Sequence, residues 1–301
     1  MAVTDPSPPR PATARAVLWT LGAVASFTTL TVAGREAGLI LDTFEIMTYR
    51  SVIGLVIVVA VAIATGRTGE VRVNRLGLHL VRNLLHFFGQ NLWFYALTVI
   101  PLALVVALEF SYPVWVAAAA PFVLGERLTP RKLTVVLLGF LGILVILRPG
   151  MIPLSAGTAA ALLCAIGFAG SALTTKRLTT DQSTLCILFW LSAMQGVMGL
   201  ACAALDGEVA VPTAAGWPAV IAVAVAGLVA HFCLTKALSL AQATVVAPIE
   251  FLRLPTIALA GAVIYGERPD LALFVGAALI LVAIALNLQG TRDKSVADTA
   301  S

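Results

Sequence analysis

Charge is scarce in this 301-residue chain: 11% of residues are Asp, Glu, Lys or Arg, against about a quarter in a soluble domain. With 60% of residues hydrophobic and a mean hydropathy of +0.99, the chain reads as a membrane protein throughout. Its four cysteines, Cys164, Cys186, Cys202 and Cys233, form no CxxC pair and read as small apolar fillers, not as disulfide or metal ligands. Gly-rich phosphate loops, HExxH, GxSxG and acidic metal clusters are all missing. That excludes ATP-driven pumping within this chain, and no catalytic residue, metal or cofactor is expected. Barrel strands would alternate polar and apolar residues in runs of about ten, which the long apolar runs here do not do. No small-residue cleavage site follows the first apolar run, so residues 1–14 read as a disordered tail before a retained helix.

What is present is ten apolar stretches, near 15–34, 43–65, 76–98, 101–124, 130–148, 154–175, 184–205, 216–236, 242–265 and 270–289. Each is long enough, at about 20 residues, to cross a hydrocarbon core of about 30 Å. The expected fold is an all-α integral membrane protein with ten transmembrane helices. Alternating the loops places Arg67, Arg72, Arg75, Arg127, Arg131, Lys132, Lys176, Arg177, Lys236 and the basic residues of both tails on one side. Only Arg35, Arg148 and Arg268 fall on the other. The positive-inside rule then puts both termini in the cytoplasm. The net charge of +4 is accounted for by this asymmetry, without nucleic acid.

The chain also repeats itself. Shifted by about 141 residues, ALTVIPLALVVALEFSYPVWVAAAAPFVLGER (96 to 127) lies over ALSLAQATVVAPIEFLRLPTIALAGAVIYGER (237 to 268), and the same shift sets Phe27 over Phe168 and Arg35 over Lys176. Each unit, 15–148 and 154–289, holds five spans. An odd number makes the second unit enter from the opposite side, so the repeats are expected to be inverted, the architecture in which transporters alternate access around a midplane site. Residues 290–301 read as a polar cytoplasmic tail.

Paired five-helix halves, each ending in a short loop, a Pro-bearing helix and GER (Gly125-Glu126-Arg127, Gly266-Glu267-Arg268), resemble the drug/metabolite transporter superfamily, EamA type. RNLLHFFGQNLWFYALTVIPLALVVALEF and LGFLGILVILRPG are similar to the branch containing bacterial S-adenosylmethionine and riboflavin uptake carriers. The resemblance covers nearly the whole chain. It implies a carrier in the bacterial inner membrane in which spans one to four and six to nine surround a central cavity, with spans five and ten outside.

Candidate substrate-binding residues follow from polarity at membrane depth, which is costly unless it faces a cavity or a partner. Glu109 and Glu250 sit at mirrored positions and lead the set. Pro113, four residues after Glu109, removes the hydrogen bond to the carbonyl of Glu109, and Pro255 and Pro248 do the same to Phe251 and Thr244. Arg253 follows Glu250 by three residues, so the two can pair on one helical face. Arg50 and Arg82 lie deeper than their loops and could neutralise an anionic substrate group or lock helices together; Arg82, about six residues into its helix, is expected to snorkel. Gln90 aligns with His231, and with Asn91 and Trp93 could orient a flat or amphipathic metabolite or bond between helices. His86, one turn before Gln90, reads as structural. Ser26, Thr28, Ser171, Thr174 and Thr175 are weaker candidates, Tyr95 and Lys236 mark helix ends, and Glu126 and Glu267 are gating or helix-end residues.

The favoured reading is a secondary transporter moving a small organic metabolite (amino-acid-like, vitamin or nucleoside-like) by alternating access, with a coupling proton and the lipid bilayer as further partners and a homodimer compatible with the architecture. The rivals are a membrane sensor or scaffold, for which the tails are short, and an intramembrane enzyme, for which no spacing brings a nucleophile to a base. A central cavity reaching both Glu109 and Glu250 would discriminate against them.

Overall fold

The computed structural model describes residues 10–124, 130–148, 154–178, 180–206, 209–240, 249–250 and 252–298. Regular structure among these residues is entirely helical: α1 (Arg10–Ala37), α2 (Thr43–Ala64), α3 (Leu76–Val99), α4 (Leu102–Glu109), α5 (Tyr112–Leu124), α6 (Pro130–Leu147), α7 (Ala156–Leu178), α8 (Thr184–Ala203), α9 (Trp217–Leu240), α10 (Arg253–Tyr265) and α11 (Leu271–Asp298), with short 3₁₀ turns after α2 and α8. Helices α1, α2, α7, α8 and α9 are long and apolar enough to cross a membrane. Helix α3 has the length but buries His79, Arg82, Asn83, His86 and Gln90, and α10 presents a shorter apolar stretch. Both expected tails are partly helical: α1 starts at Arg10 and α11 runs to Asp298. Pro11 falls in the first turn of α1, where a missing N–H is harmless, and no proline interrupts the residues after Gln289.

Local chemistry sets the boundaries. Asp42 opens α2 with a capping box, its side chain accepting from Glu45 N at 2.7 Å while Glu45 accepts from Asp42 N at 2.9 Å. Gly266, at φ +66°, ends α10 in the left-handed region that glycine tolerates. The expected fourth span is broken: α4 stops at Glu109, Phe110 and Ser111 turn, and α5 restarts at Tyr112. Pro113 has no N–H to continue the ladder onto the Glu109 carbonyl, and the chain tightens there, with Ser111 N donating to the Leu108 carbonyl at 3.0 Å. The opening of α10 is built differently, because Pro255 sits in its first turn, where proline is tolerated.

Packing is pairwise: α1 lies along α9, α3 along α7, α2 along α8, α6 along α11, and α4 meets α10. Lipid tails are as apolar as leucine, so close contact and small residues hold helices together. A Cβ on Gly167 of α7 would lie 2.9 Å from the Gly89 Cα and the Leu85 carbonyl of α3, and Gly142 and Gly276 meet in the same way where α6 crosses α11. Large apolar side chains such as Val56, Val197 and Val263 point outward, whereas Arg82, His86, Gln90, Gln195 and Arg253 are buried. This arrangement suits a lipid surround. Overpacking costs about 1–3 kcal/mol, so Gly167→Leu is expected to lower thermal stability in detergent by that amount, while Gly69→Leu, with open space around it, is not; equal melting temperatures for the two variants would refute the crossing.

Candidate functional site

The break after α4 and the late start of α10 aim two charged side chains at each other. Glu109 and Arg253 form a two-pronged ion pair, Nη1 to Oε1 at 3.0 Å and Nη2 to Oε2 at 2.8 Å, with side chains 15% and 7% exposed. The fork geometry matches a guanidinium to a carboxylate. Trp93 of α3 adds a third donor, its indole N–H reaching Glu109 Oε2 at 2.8 Å. Above the pair are aromatic faces, with the Arg253 guanidinium 4.8 Å from the Phe27 ring centre and 5.5 Å from that of Phe110. Phe27 in turn meets the His231 ring edge-on at 5.5 Å. Residues from α1, α3, α4, α9 and α10 thus converge on one point between the two halves of the chain.

The expected Glu250–Arg253 pair is not formed. The chain turns at Leu252, so Glu250 and Arg253 do not share a continuous helical face, and Arg253 is taken by Glu109 across the halves. The mirrored carboxylates are therefore unequal. Glu250 is half-buried with no hydrogen bond or ion pair from the described residues. The position equivalent to Arg253 in the first half is Tyr112, so one guanidinium faces two carboxylates. Pro248, Thr244, Phe251 and Glu126 lie outside the described residues.

Around this centre the other candidates separate. Gln90 is buried, and no hydrogen bond engages its amide among the described residues. Asn91, by contrast, donates to the Phe87 carbonyl of its own helix at 2.7 Å, which makes it a helix-bound group. His86 bonds Gln195 at 2.8 Å, the structural role expected of it. Arg82 does not snorkel: it is buried and donates to Asn83 Oδ1 at 2.9 Å and Thr175 Oγ1 at 3.2 Å, because α7 packs over it before its stem can reach the helix end. Arg50 borders a cleft with Ser51, Ser192, Gln195 and His231; this cleft includes neither Glu109 nor Glu250. Gln195 was not singled out in the sequence. Its signal is a lone amide in the apolar run of α8.

A second constellation ties helix ends together. Arg35, near the end of α1, donates to Glu267, to the Leu97 carbonyl and to the Ile100 carbonyl. Glu267 also accepts from the Leu102 N–H at 2.8 Å. Free carbonyls at the end of α3 and a free N–H at the start of α4 are the groups a helix leaves unsatisfied, and one ion pair satisfies both. Tyr265 stacks against Arg35 at 4.7 Å and donates to Glu36 at 2.6 Å, and Arg148 reaches Asp270 at 2.5 Å. The Ala272 N–H and Arg148 hold the Asp270 carboxyl below its usual range. A pocket of about 140 Å³ lies at this end, against Glu267 and Arg148 and away from the central pair.

The fold is that of a helical membrane protein. Residues 14–148 and 155–289 each match the EamA-like transporter family, and the chain belongs to that family. It is similar to an S-adenosylmethionine uptake transporter of Rickettsia bellii, 27% identical over 88% of this chain and 90% of the relative. A riboflavin transporter of Brucella anthropi is 30% identical over 83% and 89%, and the pseudopaline exporter CntI of Pseudomonas aeruginosa 29% over 87% and 93%. A solved crystal structure of a protein 21% identical matches with a TM-score of 0.63 over 92% of this chain and 98% of the other, a likeness of fold. These relatives are transporters, not enzymes.

Removing one partner of a buried ion pair costs about 3–5 kcal/mol, because the other charge is left uncompensated. Glu109→Gln is accordingly expected to lower thermal stability by that order, and the Glu109→Gln/Arg253→Gln double variant to recover most of it. Glu250→Gln breaks no ion pair and is expected to melt with the wild type; a Glu109→Gln variant as stable as wild type would mean the pair is not structural.

Proposed function

We propose that the chain is a secondary carrier that moves a small organic metabolite (amino-acid-like, vitamin or nucleoside-like) across the bacterial inner membrane by alternating access. The observation that carries this reading is the Glu109–Arg253 pair, a paired charge at membrane depth held between the two halves of a transporter-family fold. Two inverted five-helix repeats, 15–148 and 154–289, account for the architecture. They are supported by the gapless internal repeat and by the helix pairing. Under the repeat, α1 corresponds to α7 and α3 to α9, so the contact of α1 with α9 is the counterpart of that of α3 with α7. The charge asymmetry of the loops favours cytoplasmic termini, with the Arg35 end facing outward.

In this orientation the outer end is tied shut by Arg35 and Glu267, and the site must open by untying it. Glu250, which has no hydrogen bond or ion pair among the described residues, is the group available to a substrate cation or a coupling proton; Gln90 and the Phe27, Trp93 and Phe110 rings receive the rest of the molecule. Occupation of Glu250 would draw Arg253 from Glu109 and loosen α4 from α10. S-adenosylmethionine, which the Rickettsia bellii relative takes up, carries both an amine and a ring, and riboflavin, which the Brucella anthropi relative transports, is a flat ring system. S-adenosylmethionine, which also carries a carboxylate, is the fitting first substrate, and riboflavin probes the ring site alone.

The latch provides the test. In proteoliposomes, Glu267→Gln is expected to raise outside labelling of a Phe27→Cys reporter, on a background without native cysteines, roughly tenfold, since about 1.4 kcal/mol shifts a two-state equilibrium by that factor. Uptake of radiolabelled S-adenosylmethionine and riboflavin, with and without a proton gradient, is expected to collapse in Glu250→Gln while the protein accumulates normally. Unchanged labelling together with unchanged uptake in the two variants would refute the carrier mechanism.

A further inference from the structure

Each arginine of the latch and of the central pair has a carboxylate beside it: Arg35 has Glu267 and Arg253 has Glu109. Surface arginines Arg67, Arg75 and Arg148 are likewise paired, with Glu70, Asp181 and Asp270. Two interior arginines depart from this pattern. Arg82 is satisfied by the neutral oxygens of Asn83 and Thr175 alone. Arg50, which is half-buried, has less: among the described residues its one hydrogen bond runs to the Met47 sulfur at 3.9 Å, a weak acceptor. Its guanidinium lies over Gly227 of α9, where an added Cβ would stand 3.4 Å from Nη2. In the narrow cleft there Ser51, Ser192, Gln195 and His231 share the lining with Leu188, Leu191 and Leu228, and no carboxylate is among its lining residues.

Depth makes this arrangement costly. Arg50 is the eighth residue of α2, and at about 1.5 Å per residue it sits roughly 10 Å below the helix start. A guanidinium at that depth costs several kcal/mol unless something neutralises it. Among the described residues its one bond stays within α2, so it ties α2 to no other helix there. A fork of N–H donors at the wall of a cleft is instead the geometry that receives a carboxylate or phosphate in two-point contact.

We propose that Arg50 is an anion subsite: the transported molecule carries a carboxylate or phosphate that docks on Arg50, with Arg82 adding field from α3, and an aromatic or otherwise flat body that lies toward Phe27. This deepens the carrier reading and rests on it for the word transported, though the subsite itself is defined by binding. The substrate class is then an amphipathic organic anion, or a zwitterion whose cationic end reaches Glu250. Gly227 serves the subsite by leaving the guanidinium face uncovered.

Matched probes test it. The purified full-length protein is titrated with indole-3-acetate against indole-3-acetamide, and with adenosine 5′-monophosphate against adenosine, at constant ionic strength, following thermal unfolding. In at least one pair the anionic member is expected to stabilise the wild type at roughly tenfold lower concentration than its neutral partner, the span of about one good charge-assisted contact. Arg50→Gln is expected to erase that preference and to melt at or above the wild-type temperature, since it removes an uncompensated charge. Arg50→Lys should retain part of the preference. Three results would overturn the subsite: no stabilisation by either anion at millimolar concentration, equal stabilisation by both members of each pair, or an anion preference that survives Arg50→Gln. An Arg50→Gln variant that melts well below wild type and still discriminates would make Arg50 a structural residue. Flux of the same probes into proteoliposomes is scored separately. Binding with anion preference but no flux defeats the carrier reading and leaves the subsite standing, whereas flux without anion preference does the reverse.

Discussion

The structure depends on one desolvated ion pair. Glu109 and Arg253 come from opposite halves of the chain, and each is placed by a fault in its own helix: the break that Pro113 enforces after Glu109, and the fresh start of α10 at Arg253. Continuous helices would have turned both side chains along their own axes. Once the helices are interrupted, two charges that would each be expensive in a lipid surround neutralise one another, and Trp93 fills a third acceptor site of the carboxylate. Because the first half offers Tyr112 where the second offers Arg253, the centre has one cation for two carboxylates. A symmetric centre would be balanced and inert. This one leaves Glu250 without an ion pair among the described residues.

The same economy operates at the Arg35 end. Helix termini always present carbonyls and N–H groups without intrahelical partners, and here Arg35 and Glu267 take up those of α3 and α4 while binding each other. Such contacts suit a reversible closure. When they part, water can take up every group they expose, so opening costs less than tearing an apolar interface would. The centre differs in this respect, because its charges are largely shielded from water and pair with each other.

Packing between helices permits such movement. Gly89 against Gly167 and Gly142 against Gly276 let backbones touch, and α1 with α9, α3 with α7 and α2 with α8 pair helices from opposite halves. The interior is largely apolar with buried polar groups such as Gln90 and Gln195 set in it, and apolar side chains such as Val56 and Val263 also face outward, where a soluble fold would place polar ones. Arg50 and Arg82 are then the informative exceptions, charges with no carboxylate partner among the described residues.

Much of this was readable in the residues. Low charge and long apolar runs determined a helical membrane protein, since only helices satisfy a lipid-immersed backbone locally in runs of that length. The family and the prominence of Glu109, Arg253, Trp93 and Glu267 were legible too, because polarity at membrane depth and an internal repeat are properties of the string. What the string did not determine was partnership. Spacing suggested Glu250 for Arg253, and only the tertiary structure gave Arg253 to Glu109, because a turn at Leu252 separates neighbours in sequence while the meeting of α4 and α10 joins residues 144 positions apart. Arg82 looked free to reach the interface until α7 covered it, and Gln195, which drew no notice in the sequence, proved to be the partner of His86. Periodicity records what each residue prefers as its surroundings; which residue supplies them is decided by how the helices cross.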